Sequence, residues 1–191
     1  MIKAFILDMH GLLVYKFPSE EYNRMVKELL KKKGYNDTTF DEWKSKYGTI
    51  SAAMEENNMR DEYLRLLDNV PVSSEIDLDI VKLIKRSDQK VYLASNSSRR
   101  NTMKTLHGIG LSMCDFNYII TGDDVSHSKP SIEMYETLLK ISKVKPEEIM
   151  VFGDRETDII PAKKLGMNGM VCTYEEFKPL FRKICDENDG A

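Results

Sequence analysis

The feature that most restricts the fold of this chain is a recurring pattern. Short apolar runs, each ended by a polar or glycine-bearing turn, alternate with segments of helical period. Lys3 to Leu7 is a nearly continuous apolar run that stops at Asp8-Met9-His10-Gly11. Lys90 to Ala94 stops at Ser95-Asn96-Ser97-Ser98, Phe116 to Ile120 at Thr121-Gly122-Asp123-Asp124, and Glu148 to Phe152 at Gly153-Asp154. Asn168 to Cys172 is a fifth run of the same kind. Runs this short, bounded by turn residues, read as buried strands. Between them the pattern predicts helices over 75–86, 97–108, 131–142 and 156–165. Ser131 after Pro130, with Glu133 and Glu136 behind it, suits a helix start; Gly166 after Lys163 and Lys164 suits a helix end. Strand, turn and helix in repetition give an α/β class, a doubly wound parallel sheet with helices on both faces. In such sheets the working residues collect at the carboxyl ends of the strands. The runs ending in Asp8, Ser95 and Asp154 bring polar residues to that edge.

Residues 16–74 interrupt the alternation. Ser19 to Lys33 has Tyr22, Met25, Val26, Leu29 and Leu30 on one helical face and is stopped by Gly34. Further helix-like pieces follow at 40–46, 50–57 and 61–67. The expected organisation is a main domain from residues 1–15 and 75–191, with 16–74 inserted as a small helical unit. With 191 residues, 41% of them hydrophobic, the chain can fill one core and a modest second one. The run Lys31-Lys32-Lys33 reads as a solvated helix end.

Charge and cysteine content narrow the partners. With 28 Lys+Arg against 31 Asp+Glu, the net charge is −3, without the basic excess of a nucleic-acid-binding face. No apolar stretch approaches the length of a membrane span, and Asp8 cuts the first run before it reaches the length of a signal-peptide core. Cys114, Cys172 and Cys185 are odd in number and far apart, which suits free thiols and a cytoplasmic setting. The expectation is no nucleic-acid and no membrane partner. The pattern carries no signal for or against self-association.

The residues that carry chemistry lie at the strand ends. A carboxylate after a buried first strand, followed by a glycine turn, suits a nucleophile or a metal ligand. Asp154 and Asp158 are four apart and share a centre if the turn passes into a helix. Oxygen-only ligands of this kind suit Mg²⁺; the plainer reading is a capping Asp154 and a charged first turn. Ser95-Asn96 and Lys129-Pro130 offer a hydroxyl, amide groups and a cation, the donors a phosphoryl group needs. Singly, Ser95 reads equally as a turn residue and Lys129 as a loop lysine.

Taken in order, these segments resemble the haloacid dehalogenase superfamily of hydrolases. The resemblance rests on Phe5-Ile6-Leu7-Asp8-Met9-His10-Gly11, Leu93-Ala94-Ser95-Asn96, Ser128-Lys129-Pro130, and Val151-Phe152-Gly153-Asp154 through Asp158-Ile159. The helical insertion after the first of them is similar to that superfamily's subfamily I cap, though short. The resemblance implies a hydrolase of phosphatase type acting on a small phosphorylated molecule. Asp8 would take the phosphoryl group as an aspartyl phosphate. Ser95, Asn96 and Lys129 would bind substrate. Asp8, Asp154 and Asp158, with the main-chain carbonyl of His10, would hold Mg²⁺.

His10 departs from the resemblance. Phosphatases of the superfamily carry a second Asp there, which protonates the leaving oxygen and then activates water. Three readings follow. His10 substitutes as acid and base, since imidazole titrates near neutrality. Alternatively, the chain turns over little and binds a phosphorylated ligand or a partner. Lastly, it runs a dehalogenase-like or other reaction that needs no Asp. Elsewhere, His107 reads as a helix-end residue and His127 as a loop residue near Lys129. Trp43, Tyr47 and Met54 read as core of the insertion, and the loops at 15–17 and 47–49 as its selectors of substrate.

Overall fold

The computed structural model describes residues 1–15, 17–72 and 75–189, with side chains described up to residue 186. Lys16, Ser73 and Ser74, where the expected boundaries of the insertion fall, lie outside the described residues.

Five parallel strands form one sheet in the order β3-β2-β1-β4-β5. They are β1 (Ala4–Leu7), β2 (Lys90–Ala94), β3 (Tyr118–Ile120), β4 (Ile149–Gly153) and β5 (Asn168–Val171). β1 lies in the middle, with Leu7 paired to Leu93 on one side and to Phe152 on the other. That register aligns the strand ends, so Asp8, Ser95 and Asp154 emerge side by side.

The period-two alternation of side chains splits the core into two layers. Phe5 and Leu7 point to one face, where they pack with α5 (Leu78–Lys85), α6 (Arg99–Gly108) and α9 (Tyr174–Asp189) through Ile80, Leu106, Phe177 and Phe181. Ala4 and Ile6 point to the other, against α7 (Glu133–Ser142) and α8 (Glu156–Lys164) through Tyr135, Leu138 and Ile159. The central strand β1 is apolar and buried throughout because both its faces are covered, whereas β5 at the sheet edge carries Asn168 and is only partly buried.

Helix starts are shifted from the predicted ones by local capping. Asp77 caps α5, accepting from the Asp79 and Ile80 N–H groups, and Ser98 caps α6, accepting from Asn101. Before α7, Ser131 closes a turn with its N–H on the Ser128 carbonyl, and the helix begins at Glu133 rather than Ser131. β3 begins at Tyr118 because a short 3₁₀ turn, Met113–Asp115, precedes it. The sequence pattern gave no expectation for α9, which lays Phe177, Phe181 and Cys185 against the sheet.

Between β1 and α5 lie α1 (Ser19–Lys32), α2 (Thr39–Tyr47), α3 (Ile50–Glu56) and α4 (Arg60–Leu67). They share a separate apolar cluster that includes Val26, Leu30, Phe40, Trp43 and Met54. Among the described residues no helix is long and apolar enough to cross a membrane.

Candidate active site

Asp8 leaves β1 with its N–H bonded to the Phe152 carbonyl at 2.9 Å, which fixes the start of the following turn. That turn is closed by Leu13 and Val14 N–H groups on the Met9 carbonyl. Gly11 sits in it at φ +82°, and a Cβ there would stand 2.3 Å from Asp154 Oδ2. Gly153, at the end of β4, answers a similar demand, since its Cβ would lie 2.4 Å from the Cβ of Asp158. Both glycines let a carboxylate approach the backbone closely, and the cradle they leave draws Asp154 and Asp158 toward Asp8. One oxygen from each of the three carboxylates lies within 4.8 Å of the others.

Lys129 reaches into this cluster from the loop before α7. Its Nζ donates to Asp8 Oδ1 at 2.6 Å and to the Ala94 carbonyl at 2.8 Å, and it lies 2.7 Å from Asp158 Oδ1. Three acceptors thus meet three N–H donors on a side chain only 2% exposed. Burial pushes the Lys129 ammonium down, but Asp158 and Asp8 outweigh it and hold the group above the ordinary lysine value. Burial raises the Asp158 carboxyl although Lys129 pulls it back; burial likewise raises Asp154, against the pull of Arg155. Asp154 and Asp158, each raised by desolvation and by a neighbouring carboxylate, favour a cation beside them.

Ser95 is buried, with its N–H on the Ile120 carbonyl and its Oγ accepting from the Ser97 N–H at 3.2 Å. The amide of Asn96 is spent on the backbone of Lys129. Its Nδ2 donates to the Lys129 carbonyl at 2.8 Å, and its Oδ1 accepts from the Lys129 N–H at 2.9 Å. Asn96 therefore orients the lysine loop.

His10 packs its ring against Phe17, centroids 4.6 Å apart. Both ring nitrogens are closed off from solvent and have no hydrogen-bond partner among the described residues. Burial, with Lys129 and Arg155 adding to it, pushes the imidazole down to about 4, so it is uncharged near neutrality.

The inserted helices close over this edge. A cavity of about 1150 Å³ lies between them and the sheet, lined by Asp8, Ser95, Lys129 and Asp158 below and by residues such as Tyr22 and Tyr63 above. Glu55 accepts from the Ser128 N–H at 3.0 Å and from its hydroxyl at 2.5 Å. Thr49 donates to the Lys129 carbonyl, and Arg60 donates to the Gly122 and Val125 carbonyls. Ser98 Oγ donates to Asp68 at 2.7 Å. None of Glu55, Arg60 and Asp68 is marked by a local signal, because their partners lie 30 or more positions away.

The remaining candidates fall outside the centre. His127 is exposed, 3.4 Å from Glu133, and His107 is in the last turn of α6. Trp43 and Met54 are in the core of the inserted helices, with Tyr47 at its margin. Of the two loops expected to select substrate, Phe17 and Thr49 line the cavity with Tyr15, whereas Lys16 lies outside the described residues.

The model of the haloacid dehalogenase-like hydrolases matches residues 2–166. The chain is 30% identical over 113 residues to the pyrophosphatase PpaX of Bacillus cereus, covering 54% of this chain and 51% of that protein. It thus spans about half the length of the curated relatives it matches. Among solved structures, CbbY from Rhodobacter sphaeroides in complex with phosphate superposes with a TM-score of 0.63 at 20% identity, covering 91% of this chain and 87% of that one. A magnesium complex of a family enzyme from Bacteroides thetaiotaomicron gives a TM-score of 0.64 at 17% identity, covering 95% and 98%. The parallel sheet, its carboxyl-edge cluster and the match across most of the length agree: the chain belongs to the haloacid dehalogenase-like hydrolases.

Proposed function

We propose that the chain is a Mg²⁺-dependent phosphatase that cleaves a small phosphate monoester through a covalent aspartyl phosphate on Asp8. The observation that carries this reading is Lys129 Nζ, held between Asp8 at 2.6 Å and Asp158 at 2.7 Å, with Asp154 completing the carboxylate cluster. The oxygen donor set and the glycine cradle fit a hard divalent cation. Asp8, Asp154 and Asp158 would hold it with the His10 carbonyl. Bound Mg²⁺ would neutralise charge between the attacking carboxylate and the phosphoryl oxygens.

The chain's own groups do the rest. Asp8 attacks phosphorus, and the bond to the leaving oxygen breaks as that oxygen takes up a proton from a water molecule, balanced by the proton that His10 removes from the attacking water in the second half. Lys129 and the Ser95 hydroxyl stabilise the phosphoryl oxygens in transit. Asn96 keeps Lys129 aimed, and residues 16–74 act as a cap that excludes bulk water. Water then attacks the aspartyl phosphate, returning Asp8 and releasing phosphate. His10, neutral near pH 7, suits the second half, where a base is needed, better than the first. Its nitrogens are closed off from solvent, so they reach substrate or water only after a local rearrangement. The same observation favours a second reading, a chain that binds a phosphorylated ligand with little turnover.

Hydrolysis of an aryl phosphate from about pH 5 to about pH 9, with Mg²⁺ or EDTA, tests the proposal. The expected result is metal-dependent turnover that is absent in Asp8→Asn. Turnover equal to that of Asp8→Asn overturns it in favour of the binding reading. His10→Asp is expected to raise kcat by about tenfold or more, within the range of a general acid–base group.

A further inference from the structure

Among the described residues three cations line the cavity over Asp8, and two of them are committed. Lys129 is saturated by Asp8, Asp158 and the Ala94 carbonyl. Arg24, at the mouth, is forked by Glu21 and Glu28, each at 2.5 Å. The third is Arg155. Its nearest carboxylate is Asp154 at 3.4 Å, one of the three that converge on a cation site, and its side chain is 59% exposed. A ligand can therefore reach it.

A second donor belongs to the same cavity. The hydroxyls of Tyr22 and Tyr63 are 2.8 Å apart, and Ser51 Oγ donates to Tyr63 at 3.4 Å. Whichever phenol donates within the pair, the proton of the other has no acceptor among the described residues. Tyr22, Tyr63 and Arg155 line the same cavity; burial raises both phenols, and the charge of Arg155 opposes that rise in each. A guanidinium without a dedicated partner and a leftover phenolic proton are complementary to an anionic oxygen group.

We propose that Arg155 and the Tyr22–Tyr63 pair form a second anion subsite, which takes a carboxylate or a second phosphate carried by the part of the substrate that leaves. The inference rests on the phosphatase reading above and deepens it, since it sets the substrate class as a phosphate compound with a second negative group.

Calorimetric binding of methylphosphonate, phosphonoacetate and methylenediphosphonate in excess Mg²⁺ tests the subsite. Either or both of the two doubly anionic probes are expected to bind about tenfold tighter than methylphosphonate, and the probe that gains identifies the second group as carboxylate or phosphate. Arg155→Gln is expected to erase that advantage. Arg155→Lys is expected to keep part of it, because charge survives where the fork is lost. Tyr63→Phe is expected to reduce it. The proposal is overturned if neither probe gains, or if the gain persists in Arg155→Gln, which would assign it to the metal. Because the readout is binding, it decides the subsite independently of turnover. An absence of hydrolysis would overturn the phosphatase reading alone.

Discussion

Replacing Lys129 with Met removes a buried cation while keeping most of the stem's volume, so it isolates the charge. Lys129 is 2% exposed, and its partners Asp8 and Asp158 are 12% and 7% exposed, so solvent screens little of the interaction. Breaking a buried ion pair by deleting one partner costs about 3–5 kcal/mol, and the Ala94 carbonyl loses its donor as well. The variant has one escape, which is to protonate a carboxyl. From an unfolded value of about 3.9, keeping one carboxyl protonated costs about 4 kcal/mol at pH 7 and about 1.5 kcal/mol at pH 5. Asp158 is the natural site, as burial already raises it. A carboxyl raised in the folded state destabilises above its unfolded value, and the penalty fades as pH falls toward that value. Urea unfolding in EDTA should therefore show Lys129→Met less stable than the parent by about 3–5 kcal/mol at pH 7, and the gap should narrow by up to about 2.7 kcal/mol at pH 5. A loss that is the same at both pH values would refute the electrostatic reasoning and assign the effect to packing. Added Mg²⁺ should also shrink the gap, by returning positive charge to the cluster.

Three further outcomes follow from other parts of the fold. Gly11→Ala places a methyl 2.3 Å from Asp154 Oδ2 at φ +82°, so Mg²⁺ affinity measured by titration calorimetry should fall by about tenfold or more; unchanged affinity would separate Asp154 from the metal. Phe181→Ala empties a fully buried ring site 4.6 Å from Phe5 and 5.2 Å from Phe177, and should cost about 3–5 kcal/mol in denaturant unfolding; a loss under about 1 kcal/mol would mean α9 contributes little to the core. Asp77 ties α5 to α9: burial pushes its carboxyl up, but Lys178, the Ile80 N–H, Tyr174 and the Asp79 N–H outweigh this and hold it below the ordinary range. A depressed carboxyl stabilises above its unfolded value and loses that contribution as pH falls through its folded value, so Asp77→Ala should cost about 1–2 kcal/mol at pH 7 and progressively less below about pH 4. A gap independent of pH would refute the charge contribution.

Much of this architecture is legible one segment at a time. The central strand is apolar because both faces of the sheet are covered, and Asp8 and Asp154 are visible because each ends such a run, with Asp158 four positions further on in α8. What resists reading depends on distance along the chain. Glu55 lies in a helix of ordinary charge pattern and gains its role from Ser128, 73 positions away. Asn96 reads as a ligand by residue type, and only the fold shows its amide engaged with Lys129 on both sides. Arg155 stands inside a recognisable segment, yet its value as a cation depends on which neighbours are already paired. α9 has Phe177 and Phe181 at helical spacing, but Pro179 between them reads as an interruption.

The central place of β1 also governs how the protein acquires its site. β1 precedes every other strand, yet among the described residues it pairs with strands that begin at Lys90 and Ile149. Both closures are long in sequence, and contacts of that kind come late in folding. Asp8 depends on Phe152 for the hydrogen bond that starts its turn, so a growing chain carries its carboxylate unpositioned until the fourth strand has been made. The helices of 19–67, whose contacts are mostly local, can condense well before that. Synthesis and refolding should thus pass through a stage with a structured lid and no functioning centre beneath it.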